Sequence, residues 1–258
     1  MRVFKDLYQY RELLKSNVKK EIRGKYKGSF LGVLWSFINP LLMVLVYAIV
    51  FPLILKNPEP NYVIFLIVGI IPWNFFTTVI NQGTTTVVNN GNIIKKVYFP
   101  REILPISVVM SGLVNFFISC VIILIFILFG GMSLSPVMLL LPFIALIQFM
   151  LSLGLVFFLS AINVYMRDIE YIVNFIVMML FYATPILYSS ELFAHTSFAW
   201  IMQVNPMAHI INAYRDIFYY QVMPNLQTLG IVALVSFAIM VIGYQIFKKL
   251  EKRFAEEL

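Results

Sequence analysis

Two long stretches of this chain carry no charged residue: Tyr62–Ile94 and Ile103–Met166. Between them sits Asn92–Pro105, NIIKKVYFPREILP, with Lys95, Lys96, Arg101 and Glu102. An uncharged, mostly apolar run of about 20 residues or more predicts a helix that crosses a bilayer. The charged island between two such runs then becomes a loop held at a membrane face. Ile93, Ile94, Val97, Tyr98 and Phe99 predict one apolar side for that loop, with Lys95, Lys96 and Arg101 on the other. Such a segment suits a surface on which a partner docks, and equally a surface helix that holds two spans at depth.

Composition agrees with the membrane reading. Of 258 residues, 61% are hydrophobic and 12% charged, and the mean hydropathy is +0.88, outside the range of soluble domains. The fold class expected is an all-α polytopic membrane protein, with residues 1–258 forming one domain. The net charge of +7 would suit nucleic acid if it formed a patch, but the charges stand at the ends of apolar runs and no nucleic-acid partner is expected. The lone Cys120 lies inside an apolar run and reads as a packing residue.

Residues 1–33 hold nine of the nineteen Lys and Arg. Phe4, Leu7, Tyr8, Leu14, Val18 and Ile22 recur near helical spacing between those basic residues, which predicts an amphipathic interfacial helix followed by an elbow. Six spans are predicted within residues 34–247: Leu34–Leu55, a helix from Tyr62 whose polar second half leaves the bilayer, Pro105–Phe129, Val137–Val164, Tyr171–Tyr188 and Leu226–Phe247. Residues 248–258 are read as a tail. Ser189–Asn225 is too apolar for a free loop and too interrupted for a span. Asn205–Pro206 predicts a capped helix start there. Met207, Ile210, Ile211, Tyr214, Ile217 and Phe218 then share one face, opposite His209, Asn212, Arg215 and Asp216, which predicts short re-entrant or interfacial helices. Seventeen of the nineteen Lys and Arg fall in the N-terminal segment, the second and fourth loops and the tail. Both termini are therefore expected in the cytoplasm.

No Lys, Arg, His, Asp or Glu falls in the middle of a predicted span, whereas ion-driven pumps need such groups along the coupling path. The chain has no GxxxxGK[ST] phosphate loop and no His/Cys cluster with metal spacing, so neither a bound metal nor a nucleotide is expected on it. His195 and His209 read as ordinary interfacial residues. A transport subunit driven by a separate ATPase fits this pattern, and so does a passive membrane scaffold.

KYKGSFLGVLWSFINP (Lys25–Pro40), the PREILP loop, NVYMRDIEY (Asn163–Tyr171), TPILY (Thr184–Tyr188) and NPMAHIINAYRD (Asn205–Asp216) occur in that order over essentially the whole chain. In this the sequence resembles the membrane permeases of type-2 ABC exporters, most closely the branch that exports lipid-linked polysaccharide, O-antigen or teichoic acid. The resemblance implies a homodimer in the bacterial cytoplasmic membrane with two nucleotide-binding ATPase subunits, which hold the ATP and Mg. It implies a coupling helix at Asn92–Pro105, with Lys95, Lys96, Tyr98, Phe99, Arg101 and Glu102 meeting the ATPase. It implies outer gate helices around Asn205, Pro206, His209, Asn212, Arg215 and Asp216, and a pore between two copies lined by spans one, two and five.

Sugars stack on aromatic faces. The candidate pore-lining rings are Phe37, Tyr47 and Phe51 on span one, Trp73, Phe75 and Phe76 on span two, and Phe175, Phe181, Tyr182 and Tyr188 on span five. Arg167 and Asp168, after span four, are expected to form a local ion pair, with a lipid-phosphate or ATPase contact as the alternative. A drug or small-molecule exporter permease and a non-transport scaffold of envelope synthesis are the other classes left open.

Overall fold

The computed structural model describes residues 8–24, 30, 32–54, 59–191 and 199–258. Every regular element among them is helical: α1 (Arg11–Gly24), α2 (Trp35–Ile54), α3 (Tyr62–Asn89), the single turn α4 (Gly91–Ile94), α5 (Ile103–Phe129), α6 (Leu141–Tyr165), α7 (Ile169–Ala183), α8 (Ala199–Val204), α9 (Pro206–Arg215), α10 (Leu226–Leu250) and the short α11 (Phe254–Glu257).

α3 is the axis. Its first half is apolar on all sides, as a helix enclosed by others must be, and Phe65, Leu66, Ile67, Val68 and Ile70 have no more than 1% of their surface exposed. α2, α5, α6, α7 and α9 all pack on it. α10 is the opposite case. It packs mainly along α6 and leaves Ile231, Leu234, Val235, Phe237 and Ile242 exposed, an apolar face that suits lipid. The α6–α10 seam is unusually close because Gly154 and Gly243 meet there. A β-carbon on Gly243 would stand 2.1 Å from the Gly154 carbonyl oxygen, so any side chain would push the helices apart.

Among the described residues, four helical stretches are long and apolar enough to cross a membrane: Tyr62–Asn89, Ile103–Phe129, Pro136–Tyr165 and Leu226–Glu257. Phe37–Leu53 and Ile169–Ala183 are apolar but shorter, so six predicted spans correspond to four full-length helices and two short ones. The fifth was expected to reach Tyr188. It stops at Ala183, and Thr184 turns extended at φ −110°, ψ 140°, because Pro185 disfavours helical backbone at the residue before it and has no N–H to continue the ladder.

One further expectation changes. Asn92–Pro105 was expected to be a coupling helix but holds the one turn of α4, a turn at Lys95–Lys96, irregular chain to Pro100, a turn at Arg101–Glu102 and the first residues of α5. In the tail, after a tight turn at Glu251–Arg253, α11 packs back on α4 and α6. The N-terminal α1 has no buried residue and lies along α5, with Lys20 donating to the side chain of Asn90 at 3.4 Å. Residues 1–7, 25–29 and 31 of the expected interfacial helix and elbow lie outside the described residues, as do Lys56 in the first loop and His195 in the 192–198 segment.

Candidate functional site

Three regions gather the residues singled out from sequence. The first is the loop end of the bundle. Tyr98 is 93% exposed, Val97 and Ile93 are exposed beside it, and Lys95 and Lys96 point outward with them. Ile94 and Phe99, expected on the same apolar side, are buried. One helical turn has no continuous face on which all five could gather.

Arg101 and Glu102 also turn inward rather than toward a partner. Arg101 donates to the Glu251 carbonyl, and its guanidinium lies 5.9 Å from the ring centre of Phe254. Glu102, 1% exposed, stands at the start of α5, where the helix dipole favours a carboxylate, and accepts from Lys248 at 3.0 Å. Lys248 bridges on to Glu251 at 2.8 Å. Phe254 is fully buried against Tyr165 and Phe247. Half of the charged island thus clamps the tail, leaving Lys95, Lys96 and Tyr98 as its outward surface. Arg167 and Asp168 are exposed at the same end. The ion pair expected between them is absent among the described residues, since exposed side chains gain little by pairing in water.

The second region is a string of rings. Phe51 meets Tyr47 edge-on at 5.7 Å, Tyr47 stacks on Phe181 at 5.8 Å, Phe181 meets Trp73 at 5.9 Å, and Trp73 meets Phe76 at 5.4 Å. Tyr182 joins Phe181 edge-on at 5.2 Å. Rings from α2, α3 and α7 therefore converge. Trp73, Phe76 and Phe181 are buried in the string, Tyr47 and Phe51 are half-buried, and Tyr182 is 60% exposed. Tyr188 meets the string through its hydroxyl, which donates to the Tyr182 carbonyl at 2.5 Å, and the other three candidates lie elsewhere. Phe75, one residue before Phe76 and so turned by 100° on the helix, stacks instead on Phe116 at 5.4 Å. Phe175 is exposed and Phe37 is half-buried at the edge of the core.

The third region lies at the end of the bundle opposite the loop. Asn205 caps α9 as the sequence predicts, its side chain accepting from the Met207 N–H at 3.0 Å with Pro206 at the first helical position. Its amide also donates to Thr184 Oγ1 at 2.9 Å. Met207, Ile210, Ile211, Tyr214, Ile217 and Phe218 are all buried, and α9 continues through a wider π-helical turn, Asp216–Tyr220. His209, Asn212 and Asp216 are half-buried, and burial raises the Asp216 carboxyl pKa.

Arg215, expected on the polar face, is instead 2% exposed. Its guanidinium donates to the carbonyls of Ile186 at 2.8 Å and Tyr188 at 3.3 Å and lies 3.6 Å from the centre of the Phe65 ring. The Leu187 carbonyl between them accepts from Tyr62 Oη at 2.6 Å. The break at Pro185 frees carbonyls that no helix satisfies, and buried carbonyls need donors; Arg215 and Tyr62 supply them. Gly69 makes room, since a β-carbon there would stand 3.1 Å from the Ile186 carbonyl and 3.2 Å from Arg215. Burial lowers the Arg215 pKa to about 9, against the pull of Tyr220 and Glu59, so the group remains charged at neutral pH. The TPILY and NPMAHIINAYRD segments, on either side of residues 189–204, are tied together by these contacts.

Residues 12–219 match the family of ABC-2 type transporters. The chain belongs to the ABC-2 transporter family. Over its whole length it is 36% identical to the O-antigen export system permease protein RfbA of Myxococcus xanthus, covering all of both chains. It is 37% identical over 249 residues to a protein of the same name from Klebsiella pneumoniae, with 96% of this chain and 95% of the relative covered. A second Klebsiella pneumoniae protein of that name is 36% identical over 248 residues, with the same shares covered.

This ABC-2 chain also uses residues that periodicity did not reveal. Lys248, Glu251 and Phe254 read as tail residues, yet they hold the charged loop. Gln148, fully buried in α6, donates to the Pro72 carbonyl of α3 at 2.8 Å and accepts from Tyr214 of α9 at 2.9 Å. A lone glutamine inside an apolar run was the available signal, because a polar side chain there is retained only when it finds partners.

Proposed function

We propose that this chain is the membrane permease of an ATP-driven exporter that moves lipid-linked polysaccharide across the bacterial cytoplasmic membrane. The observation that carries this reading is full-length similarity to relatives named as O-antigen export permeases. In this reading α2 and α7 complete a set of six spans. The 20-residue α2 extends about 30 Å, enough for a hydrocarbon core, and α7 reaches further through the Thr184–Tyr188 segment. Both termini and the Gly91–Glu102 loop face the cytoplasm. Two copies enclose the path, and two separate nucleotide-binding subunits hold ATP and Mg.

The geometry supports particular roles. Tyr98, with Lys95 and Lys96 around it, is the part of the loop free to enter an ATPase cleft, since a protruding aromatic is the usual interface anchor. Phe99, Arg101 and Glu102 carry the resulting push into the tail and α10. At the outer end the Arg215 contacts fix α9 over the break in α7, as a gate needs. Along the ring string, Tyr47, Phe51 and Tyr182 keep exposed surface for a passing sugar, while Trp73, Phe76 and Phe181 form the wall behind them. Each ring–sugar stack is worth about 1 kcal/mol by analogy with aromatic pairs, weak enough for a polymer to slide.

A strain lacking this chain tests the function. It should accumulate completed lipid-linked polymer on the cytoplasmic side and restore surface polymer when the gene is returned. Normal surface polymer with no accumulation would overturn the assignment.

A further inference from the structure

A cleft of about 390 Å³ opens between α2, α3 and α5, apart from the ring string. The volume lies within the range of small-molecule sites, about 300–1,000 Å³. Three asparagines from three helices line it: Asn39, Asn74 and Asn115, together with the rings of Trp35, Phe75 and Phe116. Asn74 and Asn115 stand near the midpoints of α3 and α5, so they lie deep in the membrane on any placement of those helices. The side-chain oxygen of Asn115 is buried without a hydrogen-bond partner among the described residues, while Asn74 is half-buried and Asn39 exposed in the cleft wall.

An unpaired amide oxygen at that depth is costly. Burying an amide without a hydrogen bond costs about 2 kcal/mol or more, and hydrocarbon offers nothing to replace water. Gln148 shows how the same bundle treats a structural amide, with both ends satisfied by the protein. A buried amide oxygen left unpaired, with two further asparagines on the wall of the same cleft, points to a partner that arrives from outside. An amide offers one acceptor and two donors, which matches hydroxyl groups that both donate and accept. It carries no charge, so it is a poor trap for phosphate, whose oxygens call for Arg or Lys. Aromatic walls complete a lining suited to a sugar ring, with apolar C–H faces and a hydroxyl edge.

We infer that the α2–α3–α5 cleft binds a sugar residue of the exported lipid-linked polymer through Asn39, Asn74 and Asn115, at a subsite distinct from the ring string. The inference rests on the polysaccharide-export reading and adds a place where the polar part of the substrate is held beside the bilayer.

The assembled permease–ATPase complex in lipid nanodiscs provides the test, using two probes: a prenyl diphosphate carrying a short oligosaccharide, and the sugar-free prenyl diphosphate. Wild type should bind the first more tightly. Asn115→Leu and Asn74→Leu should each weaken the sugar-bearing probe about fivefold or more, consistent with one lost hydrogen bond, and leave the sugar-free probe unchanged. Asn39→Leu should act in the same direction, and because Asn39 is exposed its substitution has no packing consequence that could be mistaken for lost binding. Thermal stability of Asn115→Leu should hold or rise, since no internal partner is lost. Unchanged affinity for the sugar-bearing probe in all three variants would overturn the cleft while leaving polysaccharide export standing. A wild-type complex that does not discriminate between the probes would overturn both. Loss of the dimer in the variants, with binding per dimer unchanged, would assign the amides to the contact between copies and overturn the sugar site.

Discussion

Among the described residues, each end of the bundle buries one charged side chain, Glu102 or Arg215, and the two ends satisfy it differently. At the loop end Glu102, 1% exposed, is matched by a cation, Lys248. At the opposite end Arg215, 2% exposed, has no carboxylate within ion-pair distance among the described residues and rests on two carbonyls and the face of Phe65. An ion pair joins two side chains on different elements, here the loop and the tail. A guanidinium on carbonyls instead fixes a backbone conformation, here the break after α7. The first suits a joint that transmits force, and the second a post that holds an irregular segment in shape.

That difference predicts unequal consequences. Lys248→Met leaves Glu102 buried without its cation, so it should cost about 3 kcal/mol of unfolding free energy, the usual result of stranding a buried charge. Adding Glu102→Leu should recover most of that loss. Denaturant or thermal unfolding of the two variants checks both values, and a single variant indistinguishable from wild type would show that the pair is not a working joint.

Arg215→Met removes the charge itself and leaves only neutral carbonyls unpaired. Its cost should be smaller, about 1–2 kcal/mol, measured in the same way. Arg215→Lys should not restore stability, because a single ammonium lacks the rigid fork that reaches both carbonyls. A loss for Arg215→Met larger than that for Lys248→Met would reverse the comparison.

Sequence alone revealed the helical class, the long apolar helices and the Asn205–Pro206 cap, because these follow from local pattern. The division within the charged loop was not legible. Tyr98 and Phe99 are adjacent and chemically alike, and only the presence of Phe254 and Lys248 from the far end of the chain decides which is buried. Arg215 was misplaced for a related reason. Helical spacing puts it beside Asn212 and Asp216, whereas the carbonyls that claim it exist only because Pro185 interrupts another helix. The ring string was partly legible: aromatic residues on α2, α3 and α7 were visible, but Phe75 and Phe76 look equivalent until the neighbours of α3 are in place. Asn39, Asn74 and Asn115 gave no sequence signal as a group, since nothing in their spacing brings three helices together.

The smallest effect on stability belongs to Tyr98, and it bears on the central claim that a separate ATPase drives this permease through the exposed side of the loop. Tyr98→Ala should change unfolding free energy by no more than about 0.5 kcal/mol, as expected for an exposed side chain, whereas Phe99→Ala should lose about 3 kcal/mol from the core. The decisive measurement is ATP-dependent translocation of lipid-linked polymer by the complex reconstituted in vesicles, with wild type and Tyr98→Ala compared at equal amounts of permease. The wild-type complex should move polymer only with both ATP and the nucleotide-binding subunit present, and Tyr98→Ala should lose most of that transport and of the polymer-stimulated ATP hydrolysis. Translocation that persists without the nucleotide-binding subunit, or a Tyr98→Ala complex that couples as well as wild type, would contradict it.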